Sequence, residues 1–261
     1  MGRRVMQVGW CIAVSLLGIP LIAGGRNAWG AEPAGVPRNS RPNIVFILAD
    51  DLGYGDLGCF GQKKIRTPNL DQLAKEGMRL TQHYSGNAVC APSRCVLMTG
   101  LHPGHAFIRN NREAKPEGQY PIPANTVTLG KLLQKQGYVT GAFGKWGLGG
   151  PESEGRPLQQ GINRFFGFNC QAVAHNFYPT YLWDDEKRFP LKNAPFSAHQ
   201  PKLPDGSDPR SPASYAGFVG PDYSADIITE QALRFVRDHK DQPFFLYVPT
   251  TIPHQIGRAH V

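Results

Sequence analysis

Cys90-Ala91-Pro92-Ser93-Arg94, read with Asp50-Asp51 forty residues upstream, is the part of this sequence whose residue types suggest chemistry. A helix is predicted over Pro92–Thr99, closed by Gly100, which puts Cys90 at or just before a helix N-terminus. The unsatisfied N–H groups there favour negative charge and anions. Asp50-Asp51 follows the apolar run Asn43–Ala49. Such a pair is either an ordinary turn or, at the C-terminal end of a buried parallel strand, two hard oxygen donors suited to Ca²⁺ or Mg²⁺. Lys145 and His254 each lie at the end of a predicted strand, Tyr138–Phe143 and Pro243–Val248. His175 stands alone in an aromatic loop, a place where histidines are more often structural than functional, and Arg94 alone reads as an ordinary ion-pair partner.

These residues need a scaffold that brings strand ends together. Asn43–Ala49 and Pro243–Val248 are continuous apolar runs, the pattern of central strands buried on both faces. Helices are predicted from Thr67-Pro68 to Gly77, with Leu70, Leu73 and Ala74 as the apolar face; from Asn125–Leu129 to Gly137, with Leu129, Leu132 and Leu133 buried; and over Ser224–His239. Met78–Tyr84 alternates weakly and reads as a strand, and Trp183–Leu191 reads as a β-hairpin turning at Asp184–Lys187. Asp56 reads as a turn residue. Residues 192–222 contain six prolines and little periodicity, either a loop shaping a pocket or a surface excursion. Strands alternating with helices predict an α/β fold, a mostly parallel central sheet with helices on both faces.

The chain has 261 residues and a formal net charge of +8, part of it from Arg3, Arg4 and Arg26 near the start. A mildly basic surface suits an anionic ligand, but no Lys/Arg run interleaved with aromatics points to nucleic acid. Residues 1–30 read as a cleaved signal peptide: Gly2-Arg3-Arg4, an apolar stretch from Trp10 to Ala23, and Ala28-Trp29-Gly30. The alternative, a membrane anchor, is disfavoured by the shortness of that stretch and its break at Pro20. Residues 31–42 read as a linker, 43–254 as the folded part, and 255–261 as a non-native tail. The protein is thus expected to be secreted or periplasmic, with no stable membrane span. Cys59, Cys90, Cys95 and Cys170 lack paired spacing, and an unpaired thiol at Cys90 in an oxidising compartment requires an explanation.

Over most of residues 41–254 the sequence resembles the type I sulfatases of the arylsulfatase kind, within the alkaline phosphatase superfamily. Cys-x-Pro-Ser-Arg at 90–94 is the motif in which sulfatases have cysteine oxidised to Cα-formylglycine. Gly144-Lys145-Trp146-Gly147-Leu148-Gly149 is similar to the family's Gly-Lys-Trp-His-Leu-Gly, and Gly161–Gly167 to its Gly-Phe-x-x-Phe-x-Gly loop. The resemblance implies that Asp50, Asp51 and position 90 hold a divalent cation, Ca²⁺ or alternatively Mg²⁺. It further implies that Cys90, Arg94, Lys145 and His254 are catalytic, His254 as the acid for the leaving alcohol. The resemblance also implies a formylglycine-generating enzyme as partner during maturation and a sulfated glycan or small molecule as substrate.

Gly147 departs from the pattern. The family histidine that faces the sulfate is absent there, and His175 is the nearest candidate to replace it as a substrate-binding residue. The family also carries, further on, an Asp-Asn pair completing the metal shell, a second lysine and a smaller C-terminal domain. The 261-residue chain by itself is therefore expected to be inactive, with an exposed apolar sheet edge at its last strand. Two other readings stand beside the sulfatase: a phosphonate or phosphodiester hydrolase of the same superfamily, and a non-catalytic glycan-binding fragment.

Overall fold

Four segments rich in aromatic and β-branched residues pair in parallel: β1 (Ile44–Asp50), β2 (Val139–Lys145), β3 (Arg164–Phe168) and β6 (Phe244–Pro253). The antiparallel hairpin β4 (Tyr181–Asp184) and β5 (Lys187–Pro190) extends the sheet to six strands in the order β1-β6-β2-β3-β4-β5. The computed structural model describes residues 41–115, 117–195 and 203–254. The expected signal peptide, nearly all of the expected linker and the expected tail at 255–261 lie outside the described residues. Among the described residues no helix is long and apolar enough to cross a membrane.

Successive strand residues point to opposite faces, so each apolar run feeds two cores. On one face Ala142, Phe165, Phe245 and Tyr247 pack with Ala91, Cys95 and Met98 of α2 (Cys90–Thr99) and with Leu133 of α3 (Leu129–Lys135). On the other, Phe143, Phe166, Phe244 and Leu246 pack with Ile228, Ala232 and Phe235 of α4 (Ser224–His239). The α/β fold with helices on both faces is as the sequence indicates, and α4 and the β4–β5 hairpin form where expected.

Several details differ. Among the described residues β1 lies at the edge of the sheet rather than at its centre: Val45 and Ile47 are 53% and 65% exposed while Ile44, Phe46 and Leu48 pack on the α2 face. α4 covers β2, β3 and β6 and stops short of β1. The exposed apolar edge is thus β1, and β6, the last strand, lies between β1 and β2. Met78–Tyr84 is irregular, with Met78 84% exposed; a weakly alternating run with no neighbour to pair its backbone does not become a strand. α1 (Pro68–Glu76) forms as expected after Thr67, but Leu70 and Leu73 remain exposed, as does Leu132 on α3. Part of the expected 161–167 loop is β3 itself, buried between β2 and β4. Within 192–222, Asn193 Nδ2 donates to the carbonyls of Pro179 and Asp222, which pins the two ends of that excursion together.

Candidate active site

The parallel strands end on one rim, and that rim carries the site. β1 delivers Asp50, 5% exposed, and β2 delivers Lys145, fully buried. Lys145 Nζ donates to Asp50 Oδ2 at 2.8 Å, and Arg94 Nη2 of α2 lies 3.4 Å from Asp50 Oδ1. Arg94 Nη1 donates to the Lys145 carbonyl, which fixes the guanidinium against the end of β2. Burial alone would raise the Asp50 carboxyl, but Lys145 and then Arg94 outweigh it and hold its pKa below the ordinary carboxylate range. Asp51 turns the other way. Its backbone is left-handed, with φ at 60°, and its carboxylate stays half exposed, 3.5 Å from His254 Nε2. The His254 N–H donates to the Asp50 carbonyl at 2.9 Å, so the β1 and β6 ends are tied together where the two acids diverge.

Cys90 is the first residue of α2 and is partly buried. The Ala91 N–H next to it is taken up by Asn111 Oδ1 at 3.1 Å, and Asn111 Nδ2 stands 3.9 Å from the Cys90 sulfur. The rings of His175 and His254 stack on each other, centroids 4.4 Å apart at 20°. Burial pushes the Cys90 thiol up, but hydrogen bonds from His175 and His254, with Lys145 behind them, bring its pKa down to about 5. The same bond from Cys90 raises His254, overcoming burial and the Lys145 charge. Cys90, Arg94, Asp50, Lys145, His254 and His175 therefore converge, with Asp51 at the margin. Asn111 was not anticipated: it lies in Arg109-Asn110-Asn111-Arg112, which carries no motif, and only the fold brings it to the helix start.

The donor set suits part of a hard cation's shell. Asp50 and Asp51 are two carboxylates on adjacent residues at a strand end, but both oxygens of Asp50 already face cationic side chains. Ca²⁺ takes about six to eight oxygen ligands, so these two carboxylates are a partial set. Among the described residues no group of three or more His, Cys, Asp or Glu converges in metal-holding geometry.

This rim of an α/β sheet, with a cysteine at a helix start and acids, lysine and histidines at strand ends, agrees with what the chain resembles. The Sulfatase family model matches residues 42–259, and the chain belongs to the sulfatase family. It is 38% identical to arylsulfatase A of Bos taurus over 230 residues, which covers 83% of this chain and 42% of that protein. It is 31% identical to the N-acetylgalactosamine-6-O-sulfatase of Bacteroides thetaiotaomicron over 252 residues, covering 83% and 49%. Among solved structures, Ps i-CgsB superposes with a TM-score of 0.65 at 28% identity, covering 83% of this chain and 46% of that one. A relative solved in complex with its substrate D-glucosamine-2-N,6-O-disulfate superposes at 0.61, also at 28% identity, covering 83% and 35%. The chain spans less than half the length of these relatives.

Proposed function

We propose that this protein hydrolyses sulfate monoesters, of sulfated carbohydrates or aryl alcohols, with position 90 matured to Cα-formylglycine and a divalent cation, Ca²⁺ or Mg²⁺, held by Asp50, Asp51 and position 90. The observation that carries the reading is the placement of Cys90 at the start of α2, facing two stacked histidines and backed by the Lys145–Asp50–Arg94 group. Hydrated formylglycine supplies an oxygen nucleophile that resets by re-forming its aldehyde, and the cation supplies positive charge to the sulfate oxygens.

The side chains present supply the rest. Lys145 is withdrawn from water, so its ammonium offers fixed positive charge to an anionic ester without having to shed solvent. Arg94, held by Asp50 and the Lys145 carbonyl, keeps the Asp50 carboxylate ionised and oriented. His254, 3.5 Å from the Asp51 carboxylate and stacked on His175, is placed to deliver a proton to the oxygen of the departing alcohol. His175, stacked on His254, restricts that ring and is the side chain that would touch the substrate in place of one at 147. The similarity to relatives named for N-acetylgalactosamine and glucosamine sulfates supports a sulfated glycan as substrate class. Export and maturation by a formylglycine-generating enzyme belong to the same reading. Among the described residues the two carboxylates are a partial metal shell, and Asp50 is engaged by Lys145 and Arg94.

Trypsin releases position 90 in the peptide from Leu80 to Arg94. In exported full-length protein this peptide is expected to have the mass of formylglycine at position 90 and to react with hydrazides. A cysteine mass at full occupancy in active protein would overturn the proposed nucleophile.

A further inference from the structure

Gly147 stands two residues beyond Lys145 on the site's rim, in left-handed backbone with φ at +77°. A methyl group added to it would come within 1.9 Å of Gln171 Nε2 and 2.6 Å of Gln171 Cδ. The carboxamide of Gln171 thus fills the space into which a side chain at 147 would project. Gln171 is 3% exposed, and neither its Nε2 nor its Oε1 has a hydrogen-bond partner among the described residues. Buried carboxamides are ordinarily paired, and one left open at both ends calls for a ligand to complete it.

The backbone fixes this arrangement. Trp146 N–H donates to the Phe168 carbonyl at 2.9 Å and Gly147 N–H to the Asn169 carbonyl at 3.2 Å, which zips the loop after β3 onto the end of β2. The same loop continues to His175, which meets His254 and Cys90. Gln171 therefore sits on a segment anchored at one end beside Lys145 and at the other beside Cys90.

We propose that Gln171 is a substrate-contacting residue whose amide N–H₂ donates a hydrogen bond to a sulfate oxygen, standing in for a side chain at 147. The proposal rests on the sulfate-ester reading of the site. A carboxamide neither gains nor loses a proton near neutrality, so Gln171 supplies a hydrogen bond without charge. Its removal lowers turnover and leaves the pH profile unchanged, unlike removal of His254.

The test uses full-length matured protein and para-nitrophenyl sulfate. Gln171→Met keeps the length and removes the polar atoms. It is expected to lower kcat/KM about 10- to 100-fold, the loss of one hydrogen bond to a charged group, with the melting temperature and pH profile of the parent. Gly147→His with Gln171→Ala, which moves the polar group to 147 and clears its space, is expected to recover activity over Gln171→Ala alone. Parental kcat/KM in a folded Gln171→Met protein would overturn the proposal. A second measurement stands apart from turnover: isotope-labelled glutamine in the parent protein, titrated with inorganic sulfate. A saturable shift of the Gln171 side-chain amide signals, assigned by their absence in Gln171→Met, upholds the contact, and unmoved Gln171 signals overturn it. If the parent protein hydrolyses no sulfate ester, the reading of the reaction fails, and this titration still decides whether Gln171 is an anion contact.

Discussion

At the scale of single residues, the Cys90 thiol before maturation is the most informative group. Its pKa of about 5 means that it is already a thiolate at pH 6, held there by hydrogen bonds from His175 and His254 against the cost of burial. In chain made without maturation, iodoacetamide labelling of Cys90 is expected to be nearly flat from pH 6 to 8 and to fall as the pH drops through 5. An ordinary thiol gains about tenfold per pH unit over the upper range, because its thiolate fraction is still growing. A tenfold rise per unit at Cys90, followed by mass spectrometry of the Leu80–Arg94 peptide, would show that the histidines do not stabilise the thiolate. The residues legible in the sequence were those fixed by a short motif or by the end of an apolar run: Cys90, Arg94, Asp50, Lys145 and His254. Asn111 and Gln171 come from loops whose positions depend on contacts across long sequence separations, and no local spacing marks them.

At the scale of elements, the site depends on how closely β2 lies against β6. Gly144, one residue before Lys145, has φ at +137°, and a methyl group there would meet the Pro249 carbonyl oxygen at 2.1 Å. Backbone approach and backbone conformation both exclude a side chain. Gly144→Ala is expected to cost about 2–4 kcal/mol, read as a lower denaturant midpoint, and to lower activity by displacing Lys145 from Asp50. A midpoint within about 0.5 kcal/mol of the parent would show that β2 and β6 can separate freely. Strand and helix types were readable where a run was long and its period clear, as in α4 and the 184–187 hairpin turn. What the pattern did not show was neighbourhood. An apolar run such as Ile44–Leu48 has the same composition at an edge as at the centre, and only the reach of α4 decides which of its faces is covered. Met78–Tyr84 failed as a strand for the same reason, because a strand is a relation between two segments rather than a property of one.

At the scale of the whole molecule, membership of the sulfatase family and the α/β architecture agree, and the chain spans less than half the length of arylsulfatase A and of the N-acetylgalactosamine-6-O-sulfatase. The described residues gather two adjacent carboxylates, two buried cations, two stacked histidines and a helix start on a single rim. That arrangement suits a tetrahedral, oxygen-rich anion, and sulfate and phosphate esters share that shape. The reaction itself must therefore separate them. The most direct measurement is kcat/KM of full-length matured protein on para-nitrophenyl sulfate and on bis(para-nitrophenyl) phosphate, with Cys90→Ala as control. The expected result is preference for the sulfate ester by a factor of about 10² or more, abolished in Cys90→Ala. A preference of that size for the phosphodiester, or sulfate release undiminished in Cys90→Ala, would contradict a sulfatase built on position 90.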